Sequence, residues 1–206
     1  MTSILEVEQL DTLSSNASST ITIGGTNTSN VTFKSGVSFN NSVGITEADQ
    51  WRLTADYTIV SAATNEFLTA NWERVDSDGY GTIGTGMTES SGVFTFPRTG
   101  IYFIQWTTAI ACSASSGNFR LIGSSIQTTV DNSSYGIASE SFGALSTNDY
   151  SNLSKVTNTC FFQFDVTDTS THKVKFSVYS IGTDPFAQGN SGKNVTYATF
   201  IRLGDT

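Results

Sequence analysis

The chain has 206 residues, 37% of them hydrophobic and 12% aromatic, so it can bury a sizeable core. Only 14% are charged, with Ser, Thr, Asn and Gly in their place, which fits a β-rich protein with uncharged hydrogen-bonding surfaces. Ten basic against eighteen acidic residues leave a net charge of −8 without a Lys/Arg cluster, which argues against nucleic acid as a partner. No apolar run approaches a membrane span, so no membrane insertion is expected. The opening residues lack the basic and apolar regions of a signal peptide, so synthesis in a cytosol is expected.

Residues 1–16 are too short to fold alone. They read as a short helix or an extended anchor, ordered by docking on something else, with Ile4, Leu5, Val7, Leu10 and Leu13 as anchor residues. Residues 17–50 are polar and of low complexity. Ile21 and Ile23, Val31 and Phe33, and Val37 and Phe39 form short apolar beats separated by turn residues. Each beat buries too little to be a stable sheet, so this stretch is either a flexible linker or a segment that intertwines with other copies. The domain division is an N-terminal anchor and trimerising segment over 1–50 and a head over 51–206.

From Trp51 the alternation lengthens. Trp51, Leu53, Ala55, Tyr57 and Ile59 share one face, and Arg52, Thr54, Asp56 and Thr58 the other, the pattern of a half-buried strand. Phe67, Leu68, Trp72 and Val75 continue into a second strand region, and residues 76–81 form a turn. Phe94 and Phe96 alternate with Val93 and Thr95 in the pattern of a strand; Pro97 and Gly100 then turn the chain. Ile101 to Trp106 is apolar on both faces, with Tyr102, Ile104 and Trp106 pointing one way and Ile101 and Phe103 the other. Such a strand needs a second covering layer, from its own fold or another subunit.

Beyond it the pattern predicts two short strands, around 119–122 and 126–130. Long Ser/Asn/Gly/Tyr loops over 131–154 enclose one short strand near 136–142. Cys160 to Val166 and Val174 to Val178 alternate strictly, and a closing strand carries Val195, Tyr197, Ile201 and Leu203 on one face. Eight to ten closely spaced strands without a long helix indicate an all-β sandwich or jelly roll.

The order Trp72…Val75…Ile83-Gly-Thr-Gly-Met-Thr…Ser-Gly-Val-Phe-Thr-Phe-Pro-Arg-Thr-Gly-Ile-Tyr-Phe103 resembles the globular head of the complement and tumour-necrosis-factor-like superfamily. Thr196-Tyr-Ala-Thr-Phe-Ile-Arg-Leu203 is similar to that family's closing strand. The resemblance spans residues 51–206. It implies a ten-stranded jelly roll that trimerises through an aromatic-rich face, here assigned to Tyr102, Ile104, Trp106 and Tyr197. Met1 to Leu10 and Ser19 to Gly25 resemble the openings of fibre and virion-surface proteins of marine tailed phages. There a short anchor leads into a Ser/Thr-rich β segment and a knob. The collagen-like stalk common before such heads is absent from this sequence. The expectation is therefore a homotrimeric fibre or capsid-decoration knob on a virion surface, in contact with other virion proteins.

Candidate chemistry is sparse. His172, the single histidine, follows Asp168 in a polar loop and reads as a solvated turn residue. Asp76 and Asp78 suit a calcium ion or a plain turn, without the Glu of a helix-loop-helix calcium site. Gly84-Thr-Gly86 precedes neither a Lys nor a helix, so it is not a phosphate loop. Cys112 and Cys160 either pair across the sheets or remain reduced core thiols. Asp131, Glu140, Asp149 and Asp165 could serve glycoside hydrolysis only if the fold brought two together. Lys173 and Lys175 read as edge protection. Tyr135, Asn148, Tyr150 and Asn152 lie among Ser and Asn in the long loops, a composition that suits either a plain solvated loop or recognition, here of a host-surface glycan or receptor. The expectation is a protein without catalytic residues or cofactors.

Overall fold

The computed structural model describes residues 44–112, 119–145, 154–182 and 185–206. The anchor residues Ile4, Leu5, Val7, Leu10 and Leu13, the 17–43 beats, and Asn148, Asp149, Tyr150 and Asn152 lie outside them. The described residues are all-β, with thirteen strands in chain order: β1 Ala48–Leu53, β2 Tyr57–Thr58, β3 Asn65–Phe67, β4 Trp72–Arg74, β5 Thr88–Ser90, β6 Val93–Thr95, β7 Gly100–Cys112, β8 Phe119–Thr129, β9 Gly136–Leu145, β10 Ser154–Val166, β11 Lys173–Ser180, β12 Phe186–Ala187 and β13 Tyr197–Gly204.

They form two antiparallel sheets. The seven-stranded sheet runs β10–β7–β13–β1–β4, and β12 and β2 extend it beyond the end of β13, where β12 pairs with Ile110 and Ala111 of β7. The six-stranded sheet runs β5–β6–β11–β8–β9, with β3 beside the far end of β11. Pairs distant in sequence, such as β1 with β13, give the crossed order of a jelly roll.

The long alternating segments form the central strands. Tyr102, Ile104 and Trp106 on β7 are 0–1% exposed, covered by Phe94, Val174, Phe176 and Val178 of the facing sheet. The Trp106 indole stacks on Phe176 with centroids 4.7 Å apart. Trp72 packs edge-on to Phe94 at 5.0 Å, and Phe200 closes the cluster against Phe94 at 5.4 Å. At the end of β7, Phe96 meets Tyr102 at 4.7 Å. Burial pushes the Tyr102 phenol up to about 12, with the Glu47 carboxylate adding to the shift, and its hydroxyl donates to the Arg98 carbonyl at 3.0 Å.

Several local expectations change. The strand read over 51–59 breaks after Leu53: Thr54 N–H donates to the Asn71 carbonyl at 2.8 Å, Ala55 is exposed, and pairing resumes at Tyr57. Arg52, assigned to the solvent face, is 1% exposed. The two strands read over 119–130 are one, because Gly123, Ser124 and Ser125 pair with β11 on one side and β9 on the other. Lys173 and Lys175 do not protect an edge, since β11 is a central strand. The Lys173 side chain folds back onto the Thr169 carbonyl, and the Lys175 ammonium lies 5.1 Å from the Phe67 ring centroid and 4.0 Å from that of Tyr135.

Gly84-Thr-Gly86 does cradle an anion, but one from its own chain. Glu47 Oε2 accepts from Thr85 N–H at 2.8 Å and from Gly86 N–H at 3.0 Å. Asp49, 2% exposed, accepts from five groups: Gln50 N–H, Trp51 Nε1, Arg74 Nε, the Tyr80 hydroxyl and Met87 N–H. Arg98 Nε lies 2.8 Å from Glu47 Oε1, yet no hydrogen bond of good geometry reaches that oxygen, so it is paired through charge alone. Both glycines have positive φ, and a Cβ at Gly84 would sit 2.3 Å from Glu47 Oε2. These bonds tie β1 to the loop before β5. Asp49→Ala strands five donors, and breaking such a buried charged network is expected to cost about 3 kcal/mol in chemical denaturation. Gly84→Ala should destabilise as well, whereas Asp78→Gly, at an exposed turn position with φ 56 that glycine adopts freely, should leave the midpoint unchanged.

Candidate assembly face and polar cleft

Tyr102, Ile104 and Trp106, read as interface residues, are enclosed by the chain's own second sheet, so they cannot meet another copy. The inward alternation of β7 is what buries them. Tyr197 alone of the four lies half-buried on the outward face of the seven-stranded sheet.

That face belongs to the opposite set of side chains. The pairing register places Gln163, Phe103, Ile201 and Ala48 in one row across β10, β7, β13 and β1. Phe161, Gln105, Thr199 and Gln50 form the next row, and Thr159, Thr107 and Tyr197 the one after. The first two rows carry no charge, and the third continues on β1 to Arg52, which is 1% exposed and paired with Glu73 and Asp76. Phe161 is 52% exposed and stacks on Phe103 at 5.8 Å and 23°; Leu203, at the β13 bulge, is 55% exposed. Aromatic residues framed by amides and hydroxyls, with charge absent from the centre, are the composition of an interface core.

Beside this face lies a polar cleft of about 340 Å³, lined by Gln50 and Arg52 of β1, by Val75 and Ser77 to Tyr80, and by Lys193 and Asn194. Arg52 is held from three directions: Nε donates to Glu73 at 2.7 Å, Nη1 to Ser77 Oγ at 2.9 Å and Nη2 to Asp76 at 2.8 Å. Asp76 is thus committed to Arg52. Among the described residues no cluster of three or more metal-ligating side chains occurs.

The remaining candidates are scattered. His172 is 8% exposed rather than solvated, stacked on Phe164 at 5.5 Å, with its ring nitrogens 3.1 and 3.2 Å from the Thr171 and Thr167 hydroxyls. The Asp168 carboxylate accepts from Ser170 while its backbone carbonyl accepts from His172 N–H at 2.9 Å, and the ring nitrogens of His172 face threonine hydroxyls, so no Ser-His-Asp relay forms. Asp131 caps its own turn by accepting from Ser134 and Ser133 N–H and the Thr129 hydroxyl; these bonds pull its carboxyl far below the usual range. Glu140 and Asp165 sit on the outward faces of different sheets. Tyr135 keeps its loop position, half-buried beside Lys175.

Cys160 is a free buried thiol and does not pair with Cys112. It lies opposite Trp106 in the β10–β7 ladder while Cys112 lies opposite Ser154, six positions along β7. That separation is roughly 20 Å, far beyond disulfide reach.

No protein-family model matches the chain. No curated protein matches it either. Among solved structures, murine APRIL at pH 5.0 aligns with 11% identity and a TM-score of 0.50, over 76% of this chain and 99% of that one. Murine APRIL at pH 8.0 aligns with 10% identity and a TM-score of 0.50, over 76% and 98%.

Burial pushes the Cys160 thiol up to about 11 from an ordinary 9.0. Below pH 9 the thiol is neutral folded and unfolded; between about 9 and 11 only the unfolded chain ionises, so this group's contribution to stability falls as pH rises through that window. In a Cys112→Ala background, Cys160 should resist a thiol-reactive dye at pH 8 until denaturant is added. At this distance in sequence the comparison is one of architecture: the chain has a tumour-necrosis-factor-like jelly-roll fold.

Proposed function

We propose that this chain is a non-enzymatic structural head that assembles as a homotrimer through the outward face of its seven-stranded sheet. The observation that carries this reading is the exposed Phe103–Phe161 stack, in rows without charge on an otherwise acidic protein. A stack left in water gives up the gain of burying it, about 1.5–3 kcal/mol per large apolar side chain. Placing the same rows from several copies around one axis recovers that gain for each copy. The trimeric number follows the resemblance of residues 51–206 to the complement and tumour-necrosis-factor-like heads.

The resemblance of the N-terminus to marine tailed-phage openings supports display on a virion. In this reading residues 1–16 attach to the capsid or tail, residues 17–50 intertwine with those of the other copies, and the head is a fibre or decoration knob made in the host cytoplasm. A second role, adhesion to a host-surface saccharide or receptor, is favoured by the polar cleft beside the assembly face.

Light scattering after size exclusion should give a mass three times the 22.0 kDa chain mass for the intact protein. Phe161→Glu would place three carboxylates near the axis and should reduce the mass to that of one chain. Phe142→Glu, on the other sheet, should leave the trimer intact. A monomeric intact protein, or a trimer indifferent to Phe161→Glu, overturns the proposal.

A further inference from the structure

The geometry points to the cleft between β1, the 75–80 turn and the 193–194 loop as a saccharide site that receives one neutral pyranose ring. This deepens the adhesion role proposed above and rests on it. The volume, about 340 Å³, lies at the lower end of the ~300–1,000 Å³ typical of small-molecule sites.

The lining decides the ligand class. An apolar ligand would strand its polar groups. An anion finds little net positive charge: Arg52 is neutralised by Glu73 and Asp76, and Lys193 shares the cleft with Asp78. What remains is a dense set of paired donors and acceptors. Sugar hydroxyls both donate and accept, and neighbouring hydroxyls are well matched by planar amide and carboxylate groups.

The walls are already set. Gln50 is fixed at both ends, its Nε2 donating to Thr199 Oγ1 at 3.1 Å and its Oε1 accepting from Asn194 Nδ2 at 3.1 Å. The Tyr80 hydroxyl accepts from Gln50 N–H at 2.7 Å and donates to Asp49 at 2.8 Å, which holds its ring at the cleft as an apolar surface for sugar C–H groups. Each amide keeps one N–H and lone-pair capacity in reserve. Asp78 and Lys193 make no ion pair among the described residues, so both can turn to a ligand. A rigid wall with two uncommitted polar arms limits the ordering cost of binding.

The test is saturation-transfer NMR on the full chain with glucose, galactose, mannose and N-acetylglucosamine as probes. At least one should show transfer with a dissociation constant in the millimolar range. Asn194→Ala and Asp78→Gly, the latter suited to the positive φ of that position, should each weaken it at least tenfold with an unchanged thermal midpoint, while Phe142→Ala, on the other sheet, should have no effect. Absence of transfer from all four sugars overturns the inference. So does binding that survives both cleft substitutions, is lost with Phe142→Ala alone, or is displaced by inorganic phosphate. Light scattering on the same samples reads assembly separately, so a monomer that binds sugar sinks the trimer and leaves the cleft.

Discussion

The structure depends on the two-sidedness of one strand. β7 is thirteen residues long and central in its sheet, and its side chains alternate between two different surroundings. One set, Tyr102, Ile104 and Trp106, meets the second sheet and forms the aromatic core with Phe94, Phe176 and Phe200. The other set, Ile101, Phe103 and Gln105, faces outward with Phe161 and Ile201. The first set makes the fold; the second leaves an apolar surface open among the described residues. A one-residue slip in register would exchange these roles, so the β7 ladders fix both the core and the exposed face.

The strands with strict alternation, β7, β10, β11 and β13, are legible in the sequence because burial on one face imposes period two. The direction of each face is not. Period two says that Tyr102 and Phe103 part company, but the facing sheet, built from residues up to about eighty positions away, decides which goes inside. For that reason the aromatic-rich set reads as an interface when it is the core. β8 reads as two strands because Gly123-Ser-Ser has no apolar signal; pairing on both sides carries it through. Arg52 reads as solvated because its three partners, Glu73, Asp76 and Ser77, come from a different strand and turn.

The Gly84-Thr-Gly86 segment illustrates a related limit. Its composition excludes a phosphate loop, and its amides nevertheless do what such amides do, turned onto Glu47 of the same chain. The cleft is invisible in the sequence for another reason. Gln50 and Asn194 are 144 positions apart, joined by the β1–β13 pairing, and neither residue type at that spacing stands out. Tyr135, by contrast, was visible as a loop aromatic, and the fold adds what sequence lacks, the Lys175 ammonium over its ring.

These features describe a head whose interior is complete in one chain and whose chemistry is confined to surfaces. The central claim is that copies meet through the Phe103–Phe161 face and not through Tyr102, Ile104 and Trp106. A side-chain-resolution structure of the assembled protein tests it most directly. The account predicts three copies about one axis, with Phe161 of each against a neighbour and Trp106 touching only its own chain. Phe161 open to solvent in the assembly, or copies joined through the six-stranded sheet, would contradict it.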